Sequence, residues 1–489
     1  MYDNDFDYYK HTIPKTSMKN LLSVLRPIAV AAVCSILKNR FHPDILVTNL
    51  TNKFEEMVEI TRLNVDRMRE GGKYSIKELF PRDFVTAFKV VIPAFLSSIL
   101  SQMTIRKISR KYSIPDQEVE MMWGNRRENV ADQMNHAMMR MAIALKEILA
   151  DHPEVEEKVK SIIEEKDNET TMKLIEEFRN QAGDDTIVKF IVEWDAFMTK
   201  FGCRGPAEID IAVPRYMHRP AMVMAMMYNL DVTGYENEDE GDRKREAAIQ
   251  AVLSKVTKKS DRKKIEKHLP TAQLFLAYRE TPKFTIIRIY AIIRSALLEI
   301  GKGLAAKGLL EEENDIFYLT VEEMKLFEEE KISGADLKSI VANHKNEMKL
   351  SEQMQFPKIV VGPECIMKSV SDATLQELKE LPPNVLKGLP TSAGVVEGRA
   401  IVATDPDTAV VMKGDILIAK ATDPGWTPLF MPAAGVAIEI GGPLTHGSVV
   451  ARERGIPCVV GIMGLMDKIK TGMRVRVDGN KGLVEILEE

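Results

Sequence analysis

Cysteine is scarce in this 489-residue chain: Cys34, Cys203, Cys365 and Cys458 are the only four. They lie too far apart for a metal-ligand spacing or a disulfide framework, and they fit buried thiols in a reducing, cytoplasmic setting. A surplus of one charge is lacking too. The formal net charge is −5, which removes any general electrostatic case for a nucleic-acid partner. Long apolar runs are missing. Leu21 to Leu37 is interrupted by Arg26-Pro27, and Phe84 to Met103 by Lys89 and Pro93, so neither matches the ~20 apolar residues of a membrane span. No integral span is expected. The N-terminus opens on Asp3, Asp5 and Asp7 rather than on a cationic leader. No glycine-rich Walker loop occurs either.

What the chain does have is apolar content of 45% and charged content of 28%, ordinary for globular domains. Its length suffices for two or three of them. Residues 1 to about 350 read as mostly helical. Ile187, Phe190, Ile191, Trp194, Phe197, Met198 and Phe201 recur at helical spacing, with Lys200 in the last turn and Gly202 at the stop. Further helical stretches are expected over Asn125–Leu149, Val155–Gln181, Arg243–Val256, Phe284–Lys307 and Val321–Glu330. Methionine is abundant, with 27 residues. The dense groups Met121–Met141 and Met217–Met227 suit core packing first and an adaptable apolar ligand site second.

Residues 351–387 read as linker. From Gly388 the composition shifts to short β-branched runs separated by Gly and Asp. Strands are expected over Gly398–Ala403, Ile416–Lys420, Val436–Ile440, Cys458–Ile462, Arg474–Asp478 and Leu483–Leu487. Between the third and fourth of these lies Glu439-Ile-Gly-Gly-Pro-Leu-Thr-His-Gly-Ser-Val-Val-Ala-Arg-Glu-Arg-Gly455. Here a buried strand breaks at two glycines and a proline, and a Thr-His pair opens a short helical pattern. His446 therefore sits on a glycine-lined strand-to-helix turn. The backbone can approach a ligand closely there, and helix N-terminal N–H groups favour an anion. A neutral imidazole can act as a nucleophile and carry a covalent group. On geometry alone such a histidine is usually no more than a turn residue.

The wording of the segment goes further. It closely resembles the phosphohistidine segment of the swivelling domain found in phosphoenolpyruvate synthase, pyruvate phosphate dikinase and rifampin phosphotransferase. Gly388-Leu-Pro-Thr-Ser-Ala-Gly-Val-Val-Glu-Gly-Arg-Ala400 resembles that domain's opening, and Gly414-Asp-Ile-Leu-Ile-Ala with Thr422-Asp-Pro-Gly-Trp-Thr-Pro428 its middle. Upstream, Lys200-Phe-Gly-Cys-Arg-Gly-Pro-Ala-Glu-Ile-Asp-Ile-Ala-Val-Pro-Arg-Tyr216, Tyr278-Arg-Glu-Thr-Pro-Lys-Phe284 and Asp315 to Met324 resemble the helical acceptor domain of rifampin phosphotransferase. The whole chain is similar to the C-terminal two-thirds of that enzyme type.

The resemblance implies a multidomain protein: a mostly α-helical acceptor domain (1–350), a linker (351–387) and a β/β/α phosphohistidine swivelling domain (388–489). It implies a dikinase-type phosphotransferase. His446 would carry a phosphoryl group from ATP to a hydroxyl on a sizeable apolar small molecule, with Thr445 and the backbone from Gly447 onward neutralising charge around it. Mg²⁺ with ATP is expected only through an ATP-grasp domain, absent here or on a separate subunit, and none is expected on this chain alone. The absence of a barrel after the carrier speaks against pyruvate as acceptor. A ligation enzyme of the same lineage, and a non-catalytic small-molecule binding protein keeping the fold, remain as alternatives.

For the acceptor site, Arg204, Glu208, Asp210, Arg279 and Arg288 are the candidates. Glu208 and Asp210 alternate in a stretch read as extended, so both are expected on one face, where carboxylates can position or deprotonate a hydroxyl. Arg204 suits bidentate contact with a phosphoryl group, or equally an Arg–carboxylate brace within the loop. Arg288 and Arg294, six residues apart on one helix, are expected to point in different directions.

Overall fold

The computed structural model describes residues 43–71, 84–123, 129–181, 183–230, 232, 238–278, 280–352, 360–361, 366–367, 382–404, 406, 409, 411–443 and 445–488. Leu21–Leu37, Cys34, Cys365, Arg279 and most of the linker lie outside them.

Helices dominate up to residue 352. They are α1 (Pro43–Gly71), α2 (Phe84–Arg110), α3 (Asp116–Glu120), α4 (Val130–Asp151), α5 (Pro153–Glu165), α6 (Asn168–Arg179), α7 (Asp185–Phe201), α8 (Pro220–Asn229), α9 (Glu238–Lys255), α10 (Lys259–Tyr278), α11 (Thr281–Ala306), α12 (Val321–Glu328) and α13 (Gly334–Glu352). Their ends follow side-chain chemistry. Asp184 accepts the Thr186 and Ile187 N–H groups to start α7, and Asn129 accepts the Ala131 N–H to start α4, as capping residues do. The single helix expected over Val155–Gln181 is two. Lys166 adopts a left-handed conformation (φ 53°) that closes α5, and Asp167 caps the first turn of α6 through the Glu169 and Thr170 N–H groups.

The chain forms two compact units, one of Met1–Met122, Ile249–Thr285 and Ile292–Thr374, the other of Trp123–Ala248, Ile286–Ala291 and Leu375–Glu489. In the first, α2 runs against α10, where the Ser98 hydroxyl and the Gln102 amide both donate to the Ala272 carbonyl at 2.9 and 2.8 Å. No described helix is long and apolar enough to cross a membrane.

The second unit joins α4–α8 to the sheet. Its helical core is built around Phe178, Phe190, Trp194 and Phe197, with Phe178 and Phe190 edge to face at 5.7 Å. Met134, Met138, Met139 and Met141 of α4, and Met222, Met224, Met226 and Met227 of α8, are buried in it. Core packing thus accounts for them, while Met121 and Met217 are exposed.

Residues beyond 384 form one mixed sheet from β3 (Val385–Lys387), β4 (Leu389–Ser392), β5 (Val395–Ala403), β6 (Ile416–Ala419), β7 (Gly435–Ile438), β8 (Cys458–Val460), β9 (Arg474–Asp478) and β10 (Leu483–Glu488), after a separate two-stranded pair of β1 (Val360–Val361) and β2 (Ile366–Met367). The strand order is β3-β10-β9-β5-β6-β7-β8-β4. Strand β3, inside the stretch assigned to the linker, is hydrogen-bonded to β10. Strands β5 to β8 are parallel, and β6, β7 and β8 are buried throughout, as parallel strands covered on both faces must be. Alternation divides them cleanly. Ile416, Ile418, Ala437 and Val459 pack on one face with Val475 and Val477; Leu417, Ala419, Val436, Ile438 and Val460 pack on the other with Phe430, Val450 and Ala451.

Candidate functional site

The parallel pairing of β6 with β7 puts their C-terminal ends side by side. Ligand sites of α/β sheets form at such ends, where the following loops converge. The loop after β6 leads into a short helix, α14 (Thr427–Phe430), and the loop after β7 into α15 (His446–Arg454). His446 is therefore the first residue of a nine-residue helix seated on the Val450–Ala451 face of the core. Its Nε2 lies 3.1 Å from the Thr427 hydroxyl. The edge of its ring meets Phe430, with centroids 6.4 Å apart and planes at 80°.

The turn that presents His446 is held by one carbonyl. Gly442 O accepts the Thr445 and Ser448 hydroxyls, each at 2.8 Å, and the Thr445 N–H at 3.1 Å. Thr445 stands at the cap position but its side chain does not cap α15; it is committed to closing the turn. Gly447 is glycine for want of space. A Cβ there would sit 2.4 Å from Ile438 Cδ1 and 2.5 Å from Thr422 Oγ1, closer than side chains approach. Overpacking of this kind costs about 1–3 kcal/mol. A Gly447→Ala chain is accordingly expected to lose stability by that amount in urea unfolding, and to displace His446. Arg452, exposed on α15, also ties elements together: its Nε donates to Thr391 O at 2.9 Å and its Nη2 to Pro443 O.

The loop between α7 and α8 departs from the expected extended stretch. Residues 206–209 form a turn, and Ala207 takes a left-handed φ of 48°. Glu208 and Asp210 therefore do not share a face. Glu208 is 1% exposed and receives the Arg204 Nε and Nη2 at 3.0 and 2.9 Å. Asp210 is exposed and accepts the Ala212 N–H. Arg204 is equally buried, so its carboxylate-facing edge braces the loop. Two residues of this loop, Arg215 and Tyr216, were not among the candidates, because neither stands in a pattern that marks it. Arg215 is fully buried; one N–H group donates to Asp210 O at 3.0 Å. Its Nε and Nη1, and the buried Tyr216 hydroxyl, have no hydrogen-bond partner among the described residues. Burial pulls the Arg215 pKa down and pushes that of Tyr216 up.

Cys203 carries a thiol pushed up to about 11 by burial, so it stays protonated at neutral pH and is a poor nucleophile. Arg288 is half-buried, and its charge acts on that thiol. Arg294 points elsewhere, buried with its guanidinium 4.6 Å from the Phe317 ring centre. No group of three or more His, Cys, Asp or Glu suited to a metal ion occurs among the described residues.

Two segments match known families. Residues 411–482 match the mobile domain of PEP-utilising enzymes, and residues 90–280 match the fourth domain of rifampicin phosphotransferase. The chain is 37% identical over 307 residues to a rifampicin phosphotransferase of Bacillus cereus, covering 60% of this chain and 34% of that one. It is 32% identical to one of Streptomyces sviceus, over 73% of this chain and 40% of that one. Similarity at 28% identity extends to the prodigiosin synthesizing transferase PigC of Serratia marcescens, over 60% of this chain and 33% of that one. The chain spans about a third of the length of these relatives. The chain is thus similar to rifampicin phosphotransferases, and its residues 411–482 to the mobile domain of PEP-utilising enzymes.

Proposed function

We propose that this chain carries a phosphoryl group on His446 and delivers it to a hydroxyl of a small molecule held by the helical segment. The observation that carries this reading is the placement of His446. The ring stands at the uncapped first turn of α15, where backbone N–H groups and the helix dipole favour a phosphoryl anion, and the Thr427 hydroxyl holds Nε2. In the first half-reaction a ring nitrogen attacks the β-phosphorus of ATP. A P–N bond forms, the P–O bond to AMP breaks, and the γ-phosphate passes to water. In the second, the acceptor oxygen attacks the same phosphorus and the P–N bond breaks. The ring nitrogen regains its lone pair and can take up the hydroxyl proton. Mg²⁺ and ATP belong to an ATP-grasp domain, in the same protein or a separate subunit.

At the acceptor loop the phosphoryl ligand is Arg215 rather than Arg204. Arg204 gives Nε and Nη2 to Glu208 and has only Nη1 outside that pair, while Arg215 gives one nitrogen to Asp210 O and has both Nε and Nη1 beyond it. The apolar character of the acceptor remains part of the proposal. Similarity to a synthesizing transferase favours a second reading, in which the same transfer activates a substrate for joining to another.

Intact-mass analysis after incubation with ATP-Mg²⁺ and a related ATP-grasp domain tests the proposal. The expected result is an acid-labile gain of ~80 Da, the mass of one phosphoryl group. Absence of any gain with an ATP-grasp domain active on its own cognate carrier would turn the reading to a binding protein.

A further inference from the structure

Loop 422–427 touches two things at once. On one side Thr427 reaches His446 Nε2, and Thr422 packs where a Gly447 side chain would be. On the other side the loop meets the turn at 205–207, more than two hundred residues earlier. Asp423 Oδ2 accepts the Ala207 N–H at 2.7 Å, while Oδ1 accepts the Gly425 N–H of its own loop at 2.8 Å. Gly425 lies alongside that turn: a Cβ there would stand at contact distance, 3.4 Å, from both Gly205 O and Pro206 N, and 3.1 Å from Asp423 Oδ1. The two backbones therefore lie within van der Waals reach of one another. The fit is also electrostatic. The charges acting on the buried Tyr216 hydroxyl are those of Arg204, Glu208 and Asp423, so the Asp423 carboxylate stands beside the loop's buried ion pair.

We propose that Asp423 and Gly425 form a latch that seats the histidine-bearing segment on the 205–207 turn. The proposal rests on the carrier reading above and names the contact that defines its delivery position. A carboxylate-to-amide bond across two segments is charge-assisted and worth more than a neutral one. The donor is presented by strained backbone, because Ala207 holds φ 48° without being glycine. A single hydrogen bond plus one glycine contact suits a seat that must release: tight enough to orient, small enough to let go. The same loop that holds the imidazole reads whether the carrier is seated.

Amide hydrogen exchange of the whole chain tests the latch without any phosphoryl chemistry, so its failure and that of the carrier reading are separable. In Asp423→Ala, exchange over 203–210 is expected to rise on the order of tenfold or more, with strands β6 and β7 unchanged. Asp423→Asn, which still offers an acceptor oxygen, is expected to fall between that variant and the native chain. Gly425→Ala, whose Cβ would stand 3.1 Å from Asp423 Oδ1 and so crowd the latch carboxylate, is expected to raise exchange over the same peptide by less. Should Asp423→Ala disturb β6 and β7 as well, the isosteric Asp423→Asn decides the matter. Unchanged exchange over 203–210 in a well-folded Asp423→Ala, or in Asp423→Asn where the alanine variant is disturbed, would overturn the latch.

Discussion

His446→Asn is expected to abolish the acid-labile phosphoryl gain and to reduce turnover with any acceptor by at least ~10³-fold, because removal of a covalent nucleophile leaves only positioning behind. The chain should nonetheless fold. The residue begins α15 rather than supporting its interior, and asparagine is tolerated at helix starts. Thr427→Val provides the graded companion. It keeps the volume beside His446 Nε2 but removes the hydroxyl 3.1 Å away. One hydrogen bond of about 1–1.5 kcal/mol predicts transfer about tenfold slower with the mass gain preserved. Single-turnover kinetics on the loaded chain separate the two. If His446→Asn still gained an acid-labile phosphoryl group, the carrier would be another residue and the assignment of α15 would fall.

The turn that presents His446 was legible because its context is local. A strand, a glycine-proline break, Thr-His and a helix ending at a left-handed Gly455 all lie within about twenty residues, and the strands on either side fell within two residues of those expected. Thr427 was not legible as its partner, although its segment was recognisable. The contact follows from the parallel register of β6 on β7, which no local pattern states. Strand β4 escaped because it contains Pro390 and lies at the sheet edge, paired only with β8, where proline is tolerated and the usual strand signature is diluted. The loop from Arg204 to Tyr216 misled for a different reason. Alternating Glu-Ile-Asp reads as extended, but a left-handed Ala207 turns the chain just before it, and burial of the Arg204–Glu208 pair decides which carboxylate goes inward.

The buried Arg204–Glu208 pair sets a large expected stability effect. Glu208→Ala would leave the Arg204 guanidinium, 1% exposed, without the carboxylate that takes two of its N–H groups. Stranding a buried charge in this way costs about 3–5 kcal/mol, to be read from the urea midpoint of the unit containing residues 123–248. Replacing both partners by apolar residues of similar volume, Arg204→Met with Glu208→Leu, should recover most of that loss, since no charge is then left desolvated. The two variants also separate bracing from catalysis. With Nε and Nη2 of Arg204 committed to Glu208 and donors left on Arg215, the double variant is expected to fold and to retain phosphoryl delivery within about tenfold of the native chain, the span of one modest hydrogen bond. Arg215→Met should keep His446 loading and slow delivery on the order of a hundredfold, the magnitude of a lost charge-assisted contact to a phosphoryl group. A stable double variant that loads His446 but cannot deliver would instead place Arg204 on the phosphoryl group itself.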